Sequence, residues 1–462
     1  MLKKEQIEKY LNKCLTTGAD FAEIFLEESI NRKINLFDKQ IQNVNTEMIK
    51  GIGIRISLKE KVVYGSTNDL NNIDSLIERL ITNFKDKPLN IKIKLPRKTI
   101  YKDNIIIPHN KFEIQDKKEL LYKIDKIARN ESKKIHQVDS KLIEEDKKII
   151  IANTNNIYKE DNRTLTRLTI NIFAKENEKI EDFFYGPGFK MGYEFLDNLN
   201  IEEITKNTAQ VALTKLDAIE CPSGQMPVII GNGFGGVIFH EACVHALEAT
   251  TVAKGSSVFN NMLNKKIASD KVTIIDDGTL KNKWGSINID DEGMKSQKNI
   301  LIENGILTKY LVDYINGKKM NSKPTGSGRR QNYKYAPTSR MSNTYLASGS
   351  DKIDDMIKSI KYGIYAKSMG GGCVEPTTGD FNFAVQEAYL IENGKITKPI
   401  KGASLIGNGK EIIKEVSMVS NDLELAAGVC GSLSGWVFTT VGQPTIKVDK
   451  IIVGGKGEKV NV

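Results

Sequence analysis

The sequence predicts an α+β protein, with an N-terminal mixed α/β-sheet domain over residues 1–220 and a β-rich C-terminal domain over residues 221–462. Helical and strand-like segments alternate in the first half without a long parallel series. Composition shifts at Cys221-Pro222-Ser223-Gly224, after which short strand patterns dominate. The 462 residues also exceed what one hydrophobic core usually organises, so we expect two domains.

The first half of the chain alternates between two kinds of apolar spacing. Spacing near 3.6 residues predicts helices over 2–15, 71–84, 112–135 and 199–215. Strand patterns lie at 19–27, 148–153 and 165–174. Alternating isoleucines followed by Lys59-Glu60-Lys61 predict a hairpin over 51–64.

The second half carries two strong turn signals between apolar runs. Asn304-Gly305 and Asn393-Gly394 each fit a type I′ turn, which needs positive φ at both central residues. We interpret them as repeated turn chemistry, because their flanks do not align over the length of a repeat. One further short helix is predicted over 354–362.

The composition is that of a globular protein and argues against nucleic-acid-binding, disulfide-rich and membrane proteins. Hydrophobic content of 40% and charged content of 27% are those of a globular chain. The net charge of +9 comes from scattered lysines without an aromatic-rich basic stripe, so we expect no nucleic-acid partner. Five unclustered cysteines argue against a disulfide framework. No run reaches membrane-span length and the charged start does not fit a signal peptide, so we expect a cytoplasmic protein without a membrane partner.

The most informative stretch places a glutamate directly after one of two nearby histidines: His240, Glu241 and then His245. Neutral imidazoles suit zinc, and an adjacent carboxylate can take a proton from metal-bound water. At i+5, the two rings of a regular helix would point about 140° apart. A π-bulge, or a place for His240 in the entering turn, would bring them together. Glu241, His245 and Glu248 could instead form an ordinary polar helix face.

A soft third ligand is available in Cys430. Together with the histidine motif, this cysteine makes the sequence resemble the TldD branch of the TldD/PmbA metalloproteases. The resemblance extends over the whole C-terminal half. The matching stretches are residues 236–242, 255–259, 276–279, 289–293, 324–330, 401–407 and 441–448, together with Cys430.

The resemblance implies a set of roles. His240, His245 and Cys430 would hold Zn²⁺, on a metal-site helix of the C-terminal domain, and Glu241 would be the catalytic base. It also implies a zinc-dependent metallopeptidase that cleaves short or unfolded peptides inside a dimer-shielded cleft. The partner would be a second copy or a PmbA-like (TldE-like) subunit.

Two departures from the family pattern leave an alternative open. Val244 stands where the family usually has glycine, and the segment 431–436 differs from the family pattern after the cysteine. A β-branched residue resists an unusual backbone more than glycine does. The chain could therefore be a non-catalytic or weakly active metal- or peptide-binding subunit of a TldD/PmbA-type complex.

Three further residues are candidate substrate contacts. Arg329 and Arg330 follow a flexible glycine-serine segment and could clamp a substrate carboxylate. Gly371, in a run of three glycines, could let the backbone pass close to a substrate. The glycine-rich segment 231–236 lacks the partners of a nucleotide site, so we expect it to pack against the metal-site helix. His109 and His136 are expected to lie outside the site.

Overall fold

The computed structural model describes residues 2–88, 91–375 and 378–460. In the first half, the strands are β1 (Phe21–Phe37), β2 (Gln40–Leu58), β3 (Lys61–Thr67), β4 (Thr99–Lys102), β5 (Ile135–Asn153), β6 (Ile157–Glu176), β7 (Lys179–Tyr185) and β8 (Gly188–Phe189). The α-helices are α1 (Lys4–Cys14), α2 (Ile73–Ile81), α3 (Ile114–Glu131) and α4 (Ile201–Leu216). Short 3₁₀ helices span Leu70–Asn72, His109–Lys111 and Tyr193–Asn198.

These strands form one sheet in the order β3-β2-β1-β5-β6-β4, and β7 and β8 also pair with β6. Two helix pairs cover separate parts of it. In α2, Ile73, Leu76, Ile77 and Leu80 recur at helical spacing and are buried in a core shared with α1 and with β1 and β2. Helices α3 and α4 build a second core over β5 and β6.

The second half consists of short strands. They are β9 (Ile219–Glu220), β10 (Gly224–Ile230), β11 (Ile274–Asp277), β12 (Lys298–Glu303), β13 (Ile306–Leu307), β14 (Gly328–Arg329), β15 (Thr338–Ser339), β16 (Asn343–Leu346), β17 (Tyr362–Val374), β18 (Asp380–Glu392), β19 (Lys395–Lys401), β20 (Ser404–Asn408), β21 (Val416–Val419), β22 (Glu424–Ser432), β23 (Gly435–Gln443) and β24 (Ile446–Gly454). The α-helices are α5 (Val237–Ala242), α6 (Ala249–Val252), α7 (Tyr314–Met320), α8 (Ile353–Lys358) and α9 (Gly409–Ile412), with 3₁₀ helices at Gly233–Gly236 and Val244–Leu247.

Helix α5 lies inside the largest core of the protein. Strands β10, β17, β18, β19, β20, β21, β24 and β9 form one sheet, and β13-β12-β11-β16-β23-β22 form another. Ile238 and Phe239 of α5 are buried in a core to which both sheets contribute, through Phe383 of the first and Val441 of the second. The surrounding sheets therefore fix the position of α5.

The α+β class is confirmed. The four helices predicted in the first half are present within a few residues of their predicted ends, whereas β1, β5 and β6 are much longer than predicted. Both Asn-Gly turns have the positive φ values that were expected, 47° and 80° at Asn304-Gly305 and 51° and 73° at Asn393-Gly394. The predicted helix over 354–362 ends at Lys358, because Tyr362 already begins β17. Within the described residues, no helix is both long and apolar enough to cross a membrane.

The boundary proposed after residue 220 falls between β9 and β10. Strand β9 pairs with β19, so residues 219–220 extend a sheet of the second half. The ends of the predicted ranges, Met1, Asn461 and Val462, lie outside the described residues. The domain division stays a prediction.

The two halves are joined by a buried ion network. Arg55 on β2 contacts Glu23 on β1 at 2.8 Å and Glu292 of the second half at 2.7 Å. Arg330 of the second half contacts the other oxygen of Glu23 at 2.6 Å. All four side chains are nearly inaccessible to solvent. A buried charge that loses its partner is strongly destabilising, so this network ties the halves together.

Candidate metal centre

His240 and His245 approach each other because the helix that carries His240 breaks between them. Helix α5 ends at Ala242, and Cys243 has φ −121° and ψ −57°, outside regular helix geometry. The chain continues as the 3₁₀ helix Val244–Leu247, which carries His245. The centroids of the two imidazole rings are 5.1 Å apart, with the ring planes at 88°.

This break differs from both predicted distortions. The helix does not continue through a π-bulge, and His240 lies in the last turn of α5 rather than in the entering turn. The irregular dihedral angles fall on Cys243, while Val244 lies within the 3₁₀ helix and is fully buried. A β-branched residue at 244 is therefore compatible with the turn.

Glycines hold the helix close to its neighbours. A Cβ at Gly236, just before α5, would collide with the backbone of Gly442 on β23. A Cβ at Gly409 would collide with the carbonyl of Ala242, the last residue of α5. Gly236 therefore packs against β23, and the expectation that the glycine-rich segment packs against the metal-site helix stays a prediction.

Cys430 completes the cluster from a distant part of the chain. It lies on β22 opposite Val437 of β23, and its side chain is buried. Its Sγ is 3.1 Å from Nε2 of His245. In the described part of the chain β22 is the last strand of its sheet, so the thiol stands at a sheet edge.

One ligand atom from each of His240, Glu241, His245 and Cys430 lies within 4.8 Å of the others. Oε2 of Glu241 is 3.5 Å from Nε2 of His245. Sequence reasoning thus selected four side chains that the structure brings together. Two imidazoles and one thiolate match the ligands that zinc prefers, and a fourth position is left for water or substrate.

The surroundings shift the pKa values of the two histidines in opposite directions. Burial lowers the pKa of His240 well below its usual value, and nearby His245 and Arg340 lower it further. His240 is thus held neutral, as a metal ligand must be. Its Nδ1 is buried without a hydrogen-bond partner, an atom that a bound group would satisfy. For His245, burial opposes protonation, but Glu248 and Cys430 raise the pKa well above its usual value.

Two positioning residues were not predicted as part of the site. Oε2 of Glu248 is 3.2 Å from Nδ1 of His245, and Nε of Arg340 is 3.9 Å from the other oxygen of Glu248. Arg340 also donates to the carbonyl of Cys430 at 2.6 Å. Glu248 appeared in the sequence only as part of a polar helix face. No sequence pattern predicts Arg340 as part of the site, because its partners lie about ninety positions away in the chain.

The burial of Glu241 suits a proton-transfer role. Burial raises the pKa of this carboxyl group, and Glu248 raises it further, against the opposing effect of His245. A carboxyl group whose pKa approaches the working pH exchanges protons more readily in both directions.

The two arginines expected to bind substrate have other contacts. Arg330 pairs with Glu23 at the domain interface. Arg329 donates to the carbonyls of Met341 at 2.6 Å and Phe438 at 2.8 Å. Both arginines also line a cavity of 470 Å³, and their predicted role as substrate contacts stays a prediction. Gly371 lies on β17 with open space around the position of a Cβ, so its predicted role stays a prediction.

Comparison with known proteins identifies the family of this chain. Family models describing the PmbA/TldA metallopeptidase match in three parts: domain 1 over residues 22–84, the central domain over 107–216 and the C-terminal domain over 223–455. A metalloprotease TldD homolog of Buchnera aphidicola is 37% identical over 95% of this chain and 94% of its own length. The corresponding homolog of Haemophilus influenzae is 37% identical over 94% and 93%.

Further similarities extend to a zinc metalloprotease and to solved folds. A zinc metalloprotease TldD homolog of Saccharolobus solfataricus is 32% identical over 58% of this chain and 59% of its own. The solved TldE of Thermococcus kodakarensis matches with a TM-score of 0.75 at 20% identity, covering 98% of this chain and 99% of that one. A Thermotoga maritima structure named as a modulator of a DNA gyrase gives 0.79 at 20% identity, over 97% and 99%.

Fold, site and relatives together define a metalloprotease. The chain belongs to the TldD/PmbA family, in its TldD branch.

Proposed function

We propose that this protein is a zinc-dependent peptidase that cleaves short or unfolded peptides. One observation carries the proposal: ligand atoms of His240, Glu241, His245 and Cys430 converge within 4.8 Å. His240, His245 and Cys430 would hold the zinc, and Glu241 would remain free as a base. A zinc ion bound there supplies a Lewis acid that polarises the scissile carbonyl and lowers the pKa of water.

The chain's own residues account for the proton transfers. Glu241 takes a proton from the attacking water and delivers it to the leaving amine. Glu248 holds the Nδ1 side of the His245 ring, which leaves Nε2 facing Cys430 and Glu241. Arg340 fixes the Cys430 backbone through its carbonyl.

The surroundings of Cys430 support an extended peptide as substrate. Val429, Gly431 and Ser432 flank it on β22 and are exposed. Because β22 is a sheet edge in the described part of the chain, backbone of a second chain can lie beside it. A folded protein presents little free backbone, which favours short or unfolded peptides.

We further propose that the active form is a dimer whose cleft is shielded from folded proteins. The second subunit is another copy or a PmbA-like (TldE-like) chain. We place the protein in the cytoplasm, where the five cysteines, all free in the structure, would stay reduced.

Zinc content and peptide cleavage, measured on the same purified sample, test the proposal. We expect about one zinc per chain by elemental analysis, because the ligand set suits zinc. We also expect cleavage products from a random peptide pool by mass spectrometry. Zinc without cleavage, alone or with a PmbA-like subunit, would establish the alternative of a non-catalytic metal-binding subunit. Absence of stoichiometric metal would refute both.

A further inference from the structure

The hairpin of β22 and β23 has two different faces beside the metal cluster, because side chains of a strand alternate between the faces of its sheet. Cys430 and its partner Val437 are buried on the face that carries the cluster. Trp436 lies on the opposite face, where its ring packs against Gly431, and a Cβ at Gly431 would be 2.7 Å from that ring. Val429 shares this second face and is 44% exposed. An apolar surface therefore lies across the strand from the thiol.

This second face continues as an aromatic wall that is only partly covered. Phe438 follows on β23 and packs against Trp284, with ring centroids 4.5 Å apart. Trp284 is 3% exposed, whereas Trp436 is 62% exposed. All three aromatic side chains line the 470 Å³ cavity, which residues of both halves of the chain surround. Trp436 is therefore the part of this wall that a ligand can reach.

Several charged residues of the same cavity already have partners within the protein. Arg163 pairs with Asp291 at 2.8 Å. Lys147 lies 3.5 Å from both Glu27 and Glu145. These groups need no charge from a ligand, whereas covering an exposed tryptophan ring with an apolar group is favourable.

We propose that Trp436 and Val429 form a subsite that selects an apolar side chain, aromatic above all, next to the bond that is cleaved. A peptide that extends the sheet beside β22 places alternate side chains on its two faces. Where one side chain lies on the face of the metal cluster, the next lies on the face of Trp436 and Val429. The inference rests on the proposed peptidase function and names the class of peptide preferred. Trp436 belongs to the segment 431–436 that departs from the family pattern, so we expect the preference to be particular to this chain.

Cleavage of a random peptide pool by the zinc-loaded full chain tests the preference. Mass spectrometry of the products should show apolar residues, phenylalanine above all, enriched at one position flanking the cleaved bond. For two peptides that differ only at that position, kcat/KM should be about 10-fold higher with phenylalanine than with glutamate. Trp436→Ala should reduce this ratio to about 3-fold or less, and Trp436→Phe should keep most of it, because phenylalanine retains an aromatic face.

Leu433→Ala provides the matched control. Leu433 is 73% exposed at the turn of the same hairpin and is not among the residues that line the cavity. We expect this variant to keep the parent preference, and all variants to keep the parent zinc content. A pool without apolar enrichment, or a parent-like preference in Trp436→Ala, would overturn the inference and leave the proposed peptidase intact. Loss of subunit assembly in Trp436→Ala with an unchanged preference would also overturn it, by making Trp436 a subunit contact.

Tryptophan fluorescence gives a readout that does not require cleavage. The chain has two tryptophans, and Trp284 is buried. Covering Trp436 with an apolar side chain should shift its emission to shorter wavelength. Immediately after mixing, the phenylalanine peptide should therefore cause a shift that the glutamate peptide does not cause and that Trp436→Phe abolishes. If no variant cleaves peptide, the proposed function fails and this shift alone decides the inference, which equal emission with both peptides would overturn.

Discussion

Oε2 of Glu248 lies 3.2 Å from Nδ1 of His245, while Nε2 of the same ring lies 3.1 Å from the Cys430 thiol. The imidazole is thus held between a carboxylate on one side and the metal cluster on the other. A histidine ligand usually donates its second N–H to such a carboxylate, which fixes its tautomer and orientation. Glu248 can fill this role from only three residues further along the chain.

Replacing Glu248 by alanine should weaken zinc binding by about 10- to 100-fold, because the His245 ring loses its orienting acceptor. Glu248→Gln keeps an acceptor oxygen and should recover most of the affinity. Competition with a chelator of known affinity measures both variants. Equal zinc affinity in Glu248→Ala and the parent would show that Glu248 does not position His245.

Glu241→Gln should keep its zinc and lose turnover. Glutamine is nearly isosteric and leaves the three ligands intact, but it cannot accept the proton from water. General acid–base catalysis typically contributes about 10²- to 10⁴-fold, so cleavage should fall by at least the lower figure while peptide binding changes little. Loss of zinc from this variant would instead make Glu241 a ligand, and cleavage at the parent rate would place the base elsewhere.

Cys430→Ala should lose most of its zinc, since a coordinating thiolate supplies charge that a methyl group cannot replace. Cys373→Ala is the control, because Cys373 is exposed and lies outside the metal cluster. Elemental analysis of both variants measures the effect. Full occupancy without the Cys430 thiol would mean that the third ligand lies elsewhere.

Arg330→Met should lower the free energy of unfolding by roughly 3 kcal/mol or more, because Glu23 would remain buried with only part of its charge compensated. Lys318→Met is the matched control. Its pair with Asp20 also joins the two halves, at 3.2 Å, but both side chains are about one third exposed. Exposed pairs contribute about 0–1 kcal/mol. Denaturant unfolding that shows equal losses for both variants would contradict the central role of the buried network.

Gly371→Ala should leave the free energy of unfolding nearly unchanged, because nothing lies within 4 Å of the added Cβ. If substrate passes close to this glycine, the same change should reduce peptide cleavage. Gly236→Ala, where the Cβ would meet the Gly442 backbone, should instead destabilise the fold. Parent-level cleavage by Gly371→Ala would remove this residue from the substrate path.

The residues of the metal cluster could be predicted from sequence, because histidine, glutamate and cysteine are residue types that bind metals. The helix break that brings them together could not be predicted. The break at Cys243 depends on what packs around α5, including Gly409 against Ala242, and these contacts join segments far apart in sequence. Arg340 likewise acts through tertiary contacts alone.

The central strands are also longer in the structure than the sequence predicts, and the pairing of charged side chains explains the difference. The sequence predicts a strand only over 148–153, whereas β5 begins at Ile135. The middle of β5 contains many charged residues, a composition that is typical of an exposed segment. In the sheet, Glu144 is buried and pairs with Lys117 of α3 at 2.6 Å. A charged residue is therefore compatible with the buried middle of β5, because Glu144 has a partner on another element.

The 185 positions between His245 and Cys430 set an order of events during synthesis. The two histidines leave the ribosome long before the cysteine, so a growing chain has an incomplete ligand set. The thiol can reach the histidines only after Cys430 has been synthesised and β22 has paired with β23. If the chain is the peptidase proposed above, its metal site is incomplete until that stage of synthesis.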